Sequence, residues 1–84
     1  IKMITKEEYS ALYYISMGRN SIERLSEDLE DKKKTINLIK DLERKGLLKI
    51  ELRDNKIYSL METKDGSKLL KSKKYKSWFE ELGD

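Results

Sequence analysis

Apolar positions recur three and four apart along the first half of the chain, switch to strict alternation, then return to helical spacing. Over residues 6–17, Tyr9, Leu12, Tyr13 and Ser16 line one face with Ile15 beside it, which predicts a helix. Thr5, with Glu8 three residues on, is a capping-box signature at its start, and Gly18 sits where a C′ glycine belongs. A second, shorter helix follows Ser21, a residue fit to cap it; Ile22, Leu25 and Leu29 keep the stripe, which ends near Glu30. Asp31 is placed to cap a third helix over 32–45, with Ile36, Ile39 and Leu42 inward and Leu38 on the flank. Gly46 stops it.

After Gly46 the period becomes two. Leu48, Ile50 and Leu52 share a face, as do Tyr58 and Leu60 on the return, so strands over 47–52 and 56–62 form a β-hairpin. "RDNK" between them is turn chemistry, because Asp and Asn tolerate left-handed conformations. Thr63 then caps a last helical stretch over 64–82, where Tyr75, Trp78, Phe79 and Leu82 keep i, i+3, i+4, i+7 spacing. Ser77 with Glu80 offers a second capping box, so a break near 73–77 is expected.

Composition narrows the chemistry. With 84 residues the chain makes one small domain. It has no cysteine and no histidine, which removes thiolate chemistry, disulfides and the commonest metal ligand and general base. No glycine-rich phosphate loop and no inward carboxylate pair is readable, so the sequence points away from an enzyme, a cofactor or a metal. The apolar runs are short, the longest being the five residues Ala11 to Ile15, far short of a membrane span, and no secretory segment is visible. The cytoplasm is the default expectation. The chain begins with Ile1 rather than Met, which fits residues preceding it. Richness in Lys, Ile, Glu and Ser fits an AT-rich genome, and Lys/Glu enrichment also fits a thermophilic source.

Charge changes the picture more than composition does. There are 19 basic and 16 acidic residues, a net charge of +3, but they lie in blocks. Glu23, Glu27, Asp28, Glu30 and Asp31 form an acidic block. Residues 32–45 are basic, and residues 64–76 carry a second lysine run. The third helix opens with Lys32, Lys33 and Lys34. A helix N-terminus carries about half a positive charge, so three cations there have the wrong sign. Either neighbouring Glu30 and Asp31 offset them, or a phosphate does when the protein is at work.

The stretch "SIERLSEDLEDKKKTINLIKDLERKGLLKI" resembles the core of winged helix-turn-helix regulators of the MarR, ArsR and PadR-like kind. Leu25, Leu29, Leu42, Gly46 and Leu47 match their pattern of a short leucine-bearing helix, a turn, and a helix closing in Leu-x-x-x-Gly-Leu. "YSL" at 58–60, Gly66 and the Leu69–Leu70 pair resemble the wing exit and the helix beyond it. The resemblance covers about residues 5–72. It departs in carrying Glu30 and Asp31 at a turn that usually takes a small residue, in a longer stretch between Leu60 and Gly66, and in lacking the metal-binding Cys and His of ArsR sensors. It implies an α+β fold: three helices, a two-stranded β-hairpin wing and a C-terminal helix in a single domain, residues 1–84, with its core over about 5–62.

It also implies double-stranded DNA as the partner. In such proteins the third helix enters the major groove and its first residues reach base edges. That assigns Lys32, Lys33 and Lys34 to phosphate, with Lys33 or Lys34 in reach of guanine, Thr35 to a phosphate or to the turn, and Asn37 to adenine. Lys40 and Arg44 share the outer face with Asn37. Arg53 and Lys56 flank the hairpin tip, where a wing lies along the backbone or minor groove. For each of these the bland alternative is a solvated surface residue. Lys68 to Lys76 can touch flanking DNA or form the solvated face of the last helix. The aromatic stripe Tyr75, Trp78, Phe79 and Leu82, with Tyr9 and Tyr13 of the first helix, either packs within one chain or forms a homodimer interface. The function expected is that of a homodimeric, sequence-specific transcriptional regulator. A winged-helix module that binds protein, or a replication, plasmid or viral accessory protein, is the alternative.

Overall fold

The path of the chain in the computed structural model, which describes residues 3–29 and 31–83, follows the predicted order, including a break in the last helical stretch. The elements are α1 (Lys6–Ser16), α2 (Ile22–Leu29), α3 (Lys32–Arg44), β1 (Leu48–Arg53), β2 (Lys56–Glu62), α4 (Lys64–Leu70), a single 3₁₀ turn (Lys73–Tyr75) and α5 (Lys76–Gly83). The fold is α+β, five helices with one antiparallel hairpin.

Local chemistry sets the boundaries. The Thr5 hydroxyl accepts the Glu8 N–H at 3.1 Å and the Glu8 carboxylate accepts the Thr5 N–H at 2.9 Å, a complete capping box. Ser21 accepts the Arg24 N–H at 3.3 Å, and Asp31 accepts the Lys34 N–H at 3.1 Å. Helix α3 ends in a Schellman motif: Gly46 N–H bonds Glu43 and Leu47 N–H bonds Leu42, with Gly46 at φ +75°. A side chain at that φ would crowd the backbone, so glycine is the residue that closes this turn at least cost. Glu30, read as a turn residue beside the lysines, lies outside the described residues.

Asp54 and Asn55 hold the hairpin turn at φ +52° and +63°. Arg53 pairs with Lys56 across it, so this is a two-residue turn with both central residues left-handed, which matches the twist of the strands. The register then departs from simple alternation. Glu51 pairs with Ser59 but Leu52 pairs with Ile57, which leaves Tyr58 as a bulge. The bulge inverts the expected facing near the tip. Ile57 packs against the core, while Tyr58 is 51% and Leu52 61% exposed.

Helix α1 is the hub, packing against α2, α3, α4, α5 and β2. Tyr9 and Leu12 from α1, Leu25 from α2, and Ile39 and Leu42 from α3 have no exposed surface. Leu47, Leu48, Leu60, Leu70 and Tyr75 complete the cluster. The last helical stretch breaks earlier than expected. Ser72, rather than Ser77, caps the new start, accepting the Lys74 N–H at 3.3 Å, so the chain turns after Leu70 and α5 folds back on α1.

That return corrects the reading of the aromatics as a dimer surface. Tyr9, Tyr13 and Tyr75 are buried within one chain. Their ring centroids lie 5.4 Å apart for Tyr9–Tyr75, 5.6 Å for Tyr9–Trp78 and 5.5 Å for Tyr13–Phe79, the spacing of packed aromatic pairs. The Tyr9 hydroxyl donates to the Leu70 carbonyl at 2.7 Å and so ties α1 to the end of α4. Trp78 and Leu82 are half-buried against the same core, and only Phe79 of the six stays open. The two apolar faces cover each other.

Candidate nucleic-acid interface

Helix α3 buries one side and presents the other. Thr35, Ile39 and Leu42 face α1 and α2, while Lys33, Asn37, Lys40 and Arg44 are exposed at i, i+4, i+7 and i+11. This spacing lines up one stripe on a helix of 3.6 residues per turn, about 16 Å long at 1.5 Å per residue. The stripe holds three cations and one amide. Two carboxylates flank it: Asp41, which is paired with Arg44, and the exposed Glu43.

The hairpin stands beside this stripe. A groove between them is lined by Lys40, Glu43, Arg44, Ile50, Leu52 and Ile57. A second hollow, nearer the helix start, is lined by Lys32, Ile36, Asn55 and Lys56, with Ile22 and Glu23 of α2 on its rim. Lys32 and Lys56, far apart in sequence, therefore share one wall. At the tip the Arg53 guanidinium lies 3.8 Å from the centre of the Tyr58 ring, a cation–π contact that fixes the charge in place. The bulge puts Tyr58 on the outer face and so supplies this platform.

Two of the predicted contacts are repositioned. Thr35 is wholly buried and its hydroxyl donates to the Asp31 carbonyl at 2.7 Å, so it belongs to the turn and is withdrawn from any phosphate. Lys34 points toward α1, where it pairs with Glu7; that hydrogen bond and the carboxylate charge raise its pKa above the usual lysine value. The apparent conflict with the helix dipole is thus eased locally for one lysine of the three. Asp31 caps the N-terminus and Glu7 holds Lys34. Lys32 and Lys33 are exposed and pair with no carboxylate among the described residues.

The acidic block is partly occupied elsewhere. Asp28 pairs with Arg19 at 2.9 Å, and Asp31 serves as the cap. Glu23 and Glu43 sit at the edges of the two hollows, where they repel phosphate and limit where a backbone can run.

Beneath the surface, an unpredicted pair fixes how α3 docks. Lys45, at the end of α3, donates to both oxygens of Glu8 at 2.8 Å and to the Met3 carbonyl at 3.1 Å. Burial alone would raise the Glu8 pKa. The hydrogen bond and charge of Lys45, together with the hydrogen bond from the Thr5 N–H, outweigh it and hold the carboxyl below its ordinary value. No local pattern marks this pair, since 37 residues separate its members.

Among the described residues, no helix is long and apolar enough to cross a membrane, and no group of three His, Cys, Asp or Glu is placed to hold a metal. The chain matches no family model, no curated protein and no solved structure.

Proposed function

We propose that the protein is a winged-helix binder of double-stranded DNA, with α3 in the major groove and the hairpin tip on the backbone or minor groove. The observation that carries this reading is the α3 stripe. Three cations and an asparagine occupy the exposed face of a helix whose other face is locked into the core. Lys32, Arg53 and Lys56 flank it and add phosphate contacts; Asn37 supplies the bidentate geometry that adenine takes. A stripe of about 16 Å spans about five base pairs at 3.4 Å each, too few for a distinctive site. The reading therefore takes a homodimer on two half-sites, as a transcriptional regulator does. Its dimer contact is not the buried Tyr9–Tyr13–Tyr75 set.

Four to six phosphate contacts per subunit give a log K versus log salt slope of about −7 to −11 for two subunits on B-DNA. The test is fluorescence anisotropy of a mixed-sequence duplex over a salt series. A slope in that range supports the reading, and a slope near zero refutes it.

A second reading has its own observation. Tyr58 and Met61 leave the outer face of the hairpin with large apolar exposure, 51% and 63%. A protein-binding module would use that face, and its binding would be insensitive to salt.

A further inference from the structure

The bend between α4 and α5 carries a second basic surface, apart from α3. Lys71, Ser72, Lys73 and Lys76 surround a pit of about 310 Å³ whose apolar wall is Leu70 and Phe79. Lys71 and Lys73 have no carboxylate partner among the described residues, and Lys76 reaches only Glu80, at 3.9 Å. Phe79 is 44% exposed. Its ring meets Tyr13 nearly edge-to-face, at 84°, a contact that leaves at least one face of the Phe79 ring free of Tyr13.

The lysines alone would suit any polyanion. The aromatic wall is more selective, because a duplex presents phosphate and sugar outward and keeps its bases stacked inside. An unpaired base has a free π-face, and base–aromatic stacking is the general means of holding single strands. A lipid surface fits less well. Trp78, the side chain best suited to an interface, is stacked on Tyr75 at 5.2 Å and packed against Tyr9.

We propose that this pit binds single-stranded nucleic acid, with a base stacked on Phe79 and the flanking phosphates paired to Lys71, Lys73 and Lys76. The site goes beyond the duplex reading and does not rest on it. Helix α1 separates the two surfaces: Glu7 and Glu8 face α3, whereas Tyr9 and Tyr13 face α5.

The test titrates the full chain against labelled oligothymidylate, oligouridylate and an abasic sugar–phosphate oligomer of equal length. Either base-bearing strand binding well above the abasic one supports the proposal, since stacking and phosphate pairing do not involve the 2′-hydroxyl. Phe79→Ala is expected to weaken base-bearing strands about 10-fold. Phe79→Tyr is expected to restore them, which separates stacking from loss of fold. Lys71→Gln with Lys73→Gln is expected to flatten the salt slope by about 1.4. Duplex binding is read on the same variants; Lys33→Ala with Lys40→Ala is expected to leave strand binding intact, so the two readings fail separately. Equal binding of abasic and base-bearing strands overturns the proposal. So does an unchanged Phe79→Ala, or a Phe79→Ala that converts a dimer to a monomer in sedimentation.

Discussion

Replacing Glu8 by glutamine separates two roles that its carboxylate holds at once. One is the capping box with Thr5; the other is the bridge from α1 to Lys45 at the end of α3. Glutamine keeps the first, because an amide oxygen at N3 can still accept the Thr5 N–H. It removes the charge that faces Lys45. The Glu8 side chain is 5% exposed and the Lys45 side chain 29%, so the ammonium can turn partly to water once its partner is neutral. The loss therefore falls below the 3–5 kcal/mol typical of breaking a fully buried pair, at about 1–2 kcal/mol. In a domain of this size that lowers Tm by about 5–15 °C near neutral pH. Glu8→Ala, which also loses the cap, is expected to cost about 1 kcal/mol more.

The pH dependence gives a sharper check. The Glu8 pKa is lowered in the folded chain from an ordinary value of 4.5. A carboxyl with a depressed folded pKa stabilises fully above its unfolded pKa, and that contribution is lost as pH falls through the folded value. The gap in Tm between the parent and Glu8→Gln, followed by circular dichroism, should thus be constant from neutrality to about pH 5.5, begin to narrow as pH falls through 4.5, and close once pH is below the lowered folded value. A gap that persists undiminished in acid, or widens, would refute the role given to the Glu8–Lys45 pair.

Further outcomes follow from the same geometry. Tyr9→Phe removes the hydroxyl bonded to the Leu70 carbonyl and should cost about 1 kcal/mol in a urea titration. Burial, and then the neighbouring Tyr13, raise the Tyr9 pKa above 10.0, so this group's stabilisation is lost as pH rises past its unfolded value; Tyr9→Phe should be less sensitive to alkali than the parent. A Cβ at Gly66 would fall 2.1 Å from the Leu47 carbonyl oxygen, so Gly66→Ala must shift backbone and should cost about 2 kcal/mol or more by urea unfolding. Asn37→Ala should relax the preference for adenine at one position by about 1–3 kcal/mol in a site-selection assay, with the salt slope unchanged.

The helices and the hairpin were legible because their signals are local. Thr5 with Glu8, Asp31 before the lysines, Gly46 after the last leucine, and Asp54–Asn55 at the turn each act within a few residues, and each does so in the structure. What escaped depends on partners distant in sequence or on small competitions. Lys34 and its partner Glu7 are on different helices, as are Glu8 and Lys45. The bulge at Tyr58 depends on a one-residue register shift that alternation does not reveal. Ser72 and Ser77 both had the chemistry of a cap, and only the return of α5 onto Tyr9 and Tyr13 favours the earlier break. That same return buries Tyr9, Tyr13 and Tyr75 within one chain and leaves Phe79 open. Thr35 looked available beside three exposed lysines, yet it lies on the inward side of α3 with Ile39 and Leu42.

The most direct test of the α3 interface sets two lysine variants against each other in duplex anisotropy across a salt series. Lys33→Ala with Lys40→Ala removes two stripe cations, and Lys34→Ala removes the one paired with Glu7. The account predicts that the double variant, which loses two contacts in each of two subunits, flattens the log–log slope by about 3.6, at about 0.9 per phosphate contact, while Lys34→Ala leaves it unchanged. A parent chain that fails to bind at about 50 mM salt, or a slope that Lys34→Ala lowers as much as each stripe lysine does, would contradict it.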